Sequence, residues 1–154
     1  MKEIQLTQNK VAIVDDDDFE RISQYNYYFN GKYPCRNKLI SKDKYKTWYI
    51  HWDVIGKPEI PFQIDHRDGN RLNNSKTNLR MCSNEQNSYN RHILPRNKSG
   101  YRGVSWVKNA RKWRSQIYFK RKQIYLGLFS SKEDAIMVYN DAAKKYHKEF
   151  TSVK

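Results

Sequence analysis

The sequence predicts an α+β protein: a small mixed N-terminal region, then a strand–loop–strand–helix unit, then a three-stranded antiparallel sheet packed on one helix. Three observations predict it. Short apolar/polar alternations recur, clearest from Trp113 to Phe119, where Trp113, Ser115, Ile117 and Phe119 fall on one side and Arg114, Gln116 and Tyr118 on the other. Helix-start chemistry appears three times, at Asp15–Asp18, Ser83-Asn84-Glu85-Gln86 and Ser131-Lys132-Glu133-Asp134. Turn formers separate the segments, as at Asn30-Gly31, Arg67-Asp68-Gly69-Asn70 and Ser99-Gly100.

Taken in order, Ile4–Thr7 and Val11–Val14 flank Gln-Asn-Lys and read as a hairpin. The acids Asp15 to Asp18 precede Phe19, Ile22 and Tyr25, apolar at three-residue steps, and so open a helix. Acids there cap free N–H groups and complement the helix dipole. Because they are consecutive and face no common point, capping is favoured over metal binding. Tyr27–Phe29 and Tyr33–Arg36 form a second strand pair, and a short helix near Ile50–Ile55 ends at Gly56 before Pro58. Phe62-Gln63-Ile64 is a strand that delivers Asp65 and His66, Leu79–Cys82 is its return, and a helix runs from Ser83 to about His92. Beyond the linker come strands at Tyr101–Trp106, Trp113–Phe119 and Gln123–Phe129. A helix carrying Ala135, Val138, Tyr139, Ala142 and Tyr146 then crosses the back of the sheet, leaving its other face polar and basic. The expected domains are 1–92, with a core at about 61–92, a linker at 93–99, and 100–154.

Composition bounds the function. Charged residues make up 30% and aromatics 14%, with a formal net charge of +14 and a mean hydropathy of −1.03. Aromatics bury enough area for a modest core, and the positive excess favours a polyanionic partner, most commonly nucleic acid. Residues 1–60 are nearly neutral, with ten Lys/Arg against nine Asp/Glu, so the anion-binding surface is expected in the last two-thirds. Cys35 and Cys82 lack Cys-x-x-Cys spacing, so neither a structural zinc nor a disulfide is expected. The N-terminus has no apolar run. The expectation is a soluble protein of the cytoplasm, in a bacterial or phage-infected cell, with no membrane association and no obligate protein partner.

The chemistry concentrates in residues 65–91. A histidine titrating near neutrality deprotonates water, and a hard divalent cation stabilises charge on a phosphoryl group. Asp65 and Asn87 offer oxygens suited to Mg²⁺, which keeps several of its own waters. Neighbouring side chains on a strand diverge, so Asp65 and His66 can act on opposite sides of one phosphodiester. Arg91, one turn beyond Asn87, can reach a flanking phosphate. Asn73 and Asn74 read as turn formers.

Asp65-His66-Arg67-Asp68-Gly69-Asn70, Leu72-Asn73-Asn74, Asn78-Leu79-Arg80 and Glu85-Gln86-Asn87 together resemble the HNH endonuclease signature in its phage and intron-encoded homing form. Val14-Asp15-Asp16, Tyr33-Pro34-Cys35-Arg36 and His51 resemble the preceding part of such proteins. The resemblance covers roughly residues 10–92 and implies a ββα-metal fold. Asp65 and Asn87 would then bind Mg²⁺ (Mn²⁺ substituting), His66 would be the general base, and Asn78 would steady the loop and the histidine. The last signature position is Asn87 and not His, as in the homing branch.

Tyr101-Arg102-Gly103-Val104, Trp113-Arg114, Tyr125-Leu126-Gly127-Leu128-Phe129, Glu133-Asp134-Ala135 and Tyr139-Asn140-Asp141-Ala142-Ala143 resemble an AP2/ERF DNA-binding domain. By that resemblance the sheet enters the DNA major groove, with Arg102, Arg114, Gln116, Tyr118 and Tyr125 as contacts. Arg suits guanine and Gln adenine edges, and Lys120 and Lys122 would neutralise phosphate. Ser105 and Val107 stand where plant relatives place base-reading arginines, so no target sequence transfers. Trp113 is assigned to packing, while Trp106 stays open between packing and base stacking.

The expectation is a site-specific, Mg²⁺-dependent endonuclease of duplex DNA that leaves 5′-phosphate and 3′-hydroxyl ends. One active centre implies one nicked strand. The alternatives are a non-catalytic DNA-binding regulator on an HNH scaffold and a structure-specific or RNA-directed nuclease.

Overall fold

A computed structural model describes residues 1–90 and 97–151. The chain divides into two compact units, Met1–Asn84 and Glu85–Lys154, and each builds its own core. It is a mixed α/β protein of small sheets and few helices.

The first unit opens with β1 (Lys2–Gln5) and β2 (Val11–Val14), paired antiparallel. Gln8 and Asn9 take left-handed φ of 61° and 53° in the turn, the geometry a tight hairpin needs. Helix α1 (Asp16–Ser23) follows. Its first turn is acidic, but Asp15 at the N-cap makes no side-chain cap. Its Oδ2 instead accepts the Lys76 backbone N–H at 2.7 Å, and Asp18, 4% exposed, pairs with Arg21 and Lys76. The acids therefore fasten the later loop to α1, and side-chain capping by Asp15 is corrected accordingly.

Strands β3 (Tyr28–Phe29), β4 (Pro34–Ser41) and β5 (Lys44–Tyr49) make a second sheet in that order. The strand expected at Tyr33–Arg36 thus continues to Ser41 and returns, with a left-handed Asp43 (φ 57°) at the turn. Its outer half is exposed on both faces, so it carries no buried-face alternation and its period was invisible. Helix α2 (Ile50–Ile55) stops at Gly56. At the base of the β4–β5 hairpin, Asp53 on α2 accepts Arg36 Nε and Nη2 at 3.0 and 3.1 Å, Trp48 Nε1 at 3.1 Å and Tyr27 OH at 2.5 Å. Burial alone would raise this carboxyl, but Arg36, Tyr27 and Trp48 hold it below its ordinary value. Strands β6 (Gln63–His66) and β7 (Leu79–Cys82) form the last pair of the unit. Ile4, Ala12, Val14, Ile22, Tyr27, Ile50, Val54 and Leu79 form the core.

In the second unit, α3 (Asn84–Tyr89) packs with the C-terminal elements. Glu85 Oε1 accepts the Arg121 N–H at 3.1 Å, and the Tyr89 ring stacks on His147 at 3.7 Å. The sheet is β8 (Val104–Val107), β9 (Lys112–Phe119) and β10 (Lys122–Phe129), antiparallel with β9 central. Helix α4 (Lys132–His147) starts where Ser131 Oγ accepts the N–H groups of Glu133 and Asp134. Ile117 and Val104 from the sheet meet Ala135, Tyr139, Ala142 and Ala143 from α4. Trp113 packs against this core, and Trp106, although 47% exposed, lies edge-on to Trp113 at 5.2 Å. Since Val104↔Ser115 and Trp106↔Trp113 pair in register, Trp106 belongs to the helix side of the sheet. That assigns it to packing at the sheet edge.

Gly103, at φ +68°, has no room for a Cβ, which would overlap the Tyr139 ring and the Gln116 carbonyl. Strain at positive φ and overpacking each cost roughly 1–3 kcal/mol. Gly103→Ala should therefore destabilise the second unit by roughly 2–4 kcal/mol. Hydrogen exchange should show this as lost protection at β9 amides, with those of β6 and β7 unchanged.

Candidate active site

Strand β6 ends in Asp65 and His66, both buried at 7% and 5% exposure. Register sets Asp65 opposite Arg80 and His66 opposite Leu79. The cross-strand position explains the ion pair: Arg80 Nε and Nη2 donate to Asp65 Oδ2 at 2.9 and 2.6 Å.

The loop between the two strands is knit by its own side chains. Asn78 Oδ1 accepts the Asp68 N–H at 3.0 Å, while its Nδ2 donates to Asp68 Oδ1 at 3.0 Å and to the Asn73 carbonyl at 2.8 Å. Asp68 Oδ2 accepts Asn73 Nδ2 at 2.8 Å, and Asn73 Oδ1 accepts Ser75 Oγ at 3.0 Å. Strand β2 holds the loop from outside: Ile13 N donates to Leu72 O, and Asn74 N donates to Ile13 O, both at 2.8 Å. Asn78 thus ties the two ends of the loop together.

The side chain seen against the histidine is Asn74, which is fully buried and lies with Oδ1 3.3 Å from His66 Nε2. Asn74 Nδ2 donates to the Leu72 and Arg71 carbonyls at 3.0 and 3.4 Å, which turns Oδ1 toward the ring. An oxygen there only accepts, so Nε2 carries the proton and the basic lone pair falls on Nδ1. Asn74 is therefore more than a turn former. Its signal in the sequence was faint, because an amide is buried without cost only when partnered, and the spacing from His66 does not reveal the partner.

Aromatic rings surround the imidazole. The His51 centroid lies 5.5 Å away at 84°, and Tyr33 lies at 6.2 Å. Tyr49 stacks on His51 at 5.3 Å, and the Arg71 guanidinium sits 4.9 Å above Tyr33. Burial lowers His66, opposed by Asn74, Asp68 and Asp65. Burial also lowers His51, to about 3, with the charge of His66 adding to it. Among the described residues His51 Nδ1 is buried without a hydrogen-bond partner. Only its aromatic neighbours in sequence hinted at this enclosure.

The chemistry of the donors decides whether a cation fits. Among the described residues no three His, Cys, Asp or Glu converge. Asp65 offers a hard carboxylate already held to a cationic partner. A carboxylate is a hard oxygen donor of the kind that Mg²⁺ takes, and Asp65 is the one placed beside His66 on β6. Asn87 lies on α3, and Arg91 lies outside the described residues.

In the second unit the open face of the sheet carries Arg114, Gln116, Tyr118 and Tyr125, by alternation and register. Tyr118 and Tyr125 are 56% and 59% exposed. Arg114 Nη2 donates to Ser105 Oγ at 3.3 Å. A chain of hydrogen bonds runs from Tyr118 OH to Gln123 Oε1 (2.6 Å) and from Gln123 Nε2 to Gln116 Oε1 (2.8 Å). Gln123, absent from the expected contacts, thus donates to the Gln116 amide oxygen from across the strand pair. Arg102 points elsewhere, donating to the Ser88 and Tyr89 carbonyls, so in this structure it anchors α3. Lys120 is in the β9–β10 turn, and Lys122, paired with Phe119, projects on the helix side.

Comparison with known proteins singles out the same segment. Residues 49–89 match the HNH endonuclease family, a span from the end of β5 through α2, β6 and β7 to the end of α3. Protein 3.8 of Escherichia phage T7 is 39% identical over 74 residues, which are 47% of this chain and 60% of that protein. An uncharacterized HNH endonuclease of Acanthamoeba polyphaga mimivirus is 27% identical over 143 residues, 92% of this chain and 73% of the relative. No solved structure gives a significant match. These findings support an HNH endonuclease domain over the segment that carries His66. Among the described residues no helix is long and apolar enough to cross a membrane.

The buried histidine makes the fold pH-sensitive. A folded-state value of about 3 for His51 means that the unfolded chain binds a proton the folded chain refuses as pH falls below about 6.5. Stability is then full above that value and declines as pH drops toward 3. The unfolding midpoint of the first unit should fall between pH 7 and pH 5, and His51→Phe should flatten that decline. An equal slope in the variant would show that His51 is not the group responsible.

Proposed function

We propose that this chain is a site-specific, Mg²⁺-dependent DNA endonuclease of the homing type, which nicks one strand per active centre and leaves 5′-phosphate and 3′-hydroxyl ends. The observation that carries the reading is the pinned imidazole: Asn74 at Nε2 orients a ring whose basic nitrogen is Nδ1, within a segment that matches the HNH endonuclease family. His66 Nδ1 takes the proton from a water as it attacks phosphorus, and the 3′-oxygen leaves on the opposite side. When bound, Mg²⁺, with Mn²⁺ able to replace it, neutralises phosphoryl charge and stabilises that departing oxygen. Asp65 and Asn87 are assigned as its protein ligands, Asn87 on the strength of the resemblance. For substrate to reach the ring, side chains packed about it, Tyr33 among them, move aside.

Duplex DNA is the proposed substrate, selected in the major groove by the open sheet face of the second unit, as in AP2/ERF domains. Arg114, Gln116, Tyr118 and Tyr125 carry the contacts. Lys120 acts at phosphates, while Lys122, which projects on the helix side of the sheet, is kept with Arg91 and Arg102 from the resemblance as subsidiary contacts. Action in the cytoplasm of a bacterial or phage-infected cell fits the phage relative.

One observation favours a second reading. His66 is only 5% exposed and Asp65 is committed to Arg80, as in a scaffold retained by a non-catalytic DNA-binding regulator. Incubating the purified chain with DNA of its own locus and Mg²⁺ separates the two. The endonuclease nicks that DNA at a fixed position, and a regulator leaves it intact. His66→Ala should retain DNA binding and lose cleavage by at least about a hundredfold, the usual contribution of a general base. Arg114→Ala should weaken binding. Cleavage by His66→Ala at the wild-type rate would remove His66 as the base.

A further inference from the structure

We infer that His147, on α4, is a positioning residue for the proposed metal site: its ring, stacked on Tyr89, fixes the rotation of α3 that aims Asn87. The inference rests on the endonuclease reading, with Asn87 as a ligand. It gives that reaction a residue from outside the segment matched to the HNH family, residues 49–89.

Helix geometry separates the faces of α3. Glu85 and Tyr89 are four residues apart and share one face, while Asn87, two residues from each, is turned about 200° from both. The sheet and α4 hold the Glu85–Tyr89 face. Glu85 Oε1 accepts the Arg121 N–H at 3.1 Å, and the Tyr89 hydroxyl, with the N–H groups of Arg121 and Lys120, holds the Glu85 carboxyl below its ordinary value. Lys120 and Arg121 form the β9–β10 turn at left-handed φ of 50° and 60°, a conformation that bulky residues keep only where their surroundings enforce it. Arg102 donates to the Ser88 and Tyr89 carbonyls. Tyr89 is buried, and its ring lies flat on His147, with 3.7 Å between centroids and 8° between planes.

His147 is fixed by elements other than α3. It is the last residue of α4 and is buried. A carbonyl only accepts, so Nε2 carries the proton and donates to the Tyr118 carbonyl at 2.8 Å. Tyr118 belongs to β9, the central strand of its sheet. A helix end and a strand therefore set the plane of the imidazole. By contrast α3 spans six residues, and helices this short take their stability from tertiary contacts. The flat stack supplies one that resists rotation. Tyr89 cannot roll about the helix axis without leaving the His147 ring, and any such roll displaces Asn87 on the far side. Groups that orient a ligand without touching the metal are worth roughly ten- to a hundredfold in metal affinity.

The test uses the full chain carrying His66→Ala, which should not cut, on a duplex containing the cleavage position, and reads Mn²⁺ binding from water-proton relaxation. In that parent, His147→Ala should raise the Mn²⁺ dissociation constant by roughly tenfold or more. His147→Phe keeps a flat ring against Tyr89 but loses the bond to Tyr118, and should leave the constant near the parent value. Both variants should lower the unfolding midpoint, and neither should change metal-free duplex affinity. A histidine that served only packing would lower the midpoint and leave Mn²⁺ binding alone. An unchanged constant in His147→Ala, or an equal loss in His147→Phe, would overturn the inference while leaving the endonuclease reading in place. If His147→Ala does not fold, Tyr89→Leu removes the other ring and should give the same rise; a parental constant there overturns the inference equally. So would a parental constant in Asn87→Ala, with the wild-type chain still nicking in Mg²⁺. Failure of the parent to bind Mn²⁺ together with failure of the wild-type chain to nick would instead overturn the endonuclease reading, and the role of His147 with it.

Discussion

The hydrogen bond between Asn74 Oδ1 and His66 Nε2 is the constraint on which the candidate site depends. A buried imidazole is useful as a base only when its tautomer and plane are fixed, and here one amide fixes both. The amide is itself fixed by two backbone carbonyls and by strand β2. Asn78 and Asp68 then close the loop on itself, so the position of His66 is determined by contacts reaching back to residue 13. The first hairpin is for this reason part of the site, although it carries no chemistry.

Much of this was legible in the sequence. The cap at Ser131, the stop at Gly56 and the alternation of β9 each have a local cause, and each lies where the pattern put it. Asp65 and His66 stood out because residue type and neighbourhood together suggest chemistry. What escaped notice is non-local. Asn74 looked like one loop asparagine among several, and its role needs the ring it faces. Arg80 looked like part of a returning strand, and its grip on Asp65 follows only from register. The long β4–β5 hairpin gave no signal because neither face of its outer half is buried. The open face of the second sheet was legible as polar, but the hydrogen bond that takes one end of Gln116 depends on which residue lies across the strand.

Two opposing demands meet at the site. The enclosure that orients His66 also shields it, and the pair that holds Asp65 also occupies it. The ring neighbours of His66 are Tyr33, in the β3–β4 turn, and His51, on α2, and a lower local dielectric strengthens charge–charge interactions beside them.

The tautomer of His66 tests this account most directly. Nitrogen-15 spectra of the histidine side chains near pH 7.5, assigned by the loss of one ring in His66→Ala, report which ring nitrogen is protonated. The account predicts a protonated Nε2 and a pyridine-type Nδ1 for His66, with the ratio collapsing toward a mixture in Asn74→Ala. A protonated Nδ1 in the wild-type chain, or a pattern indifferent to Asn74, would contradict it.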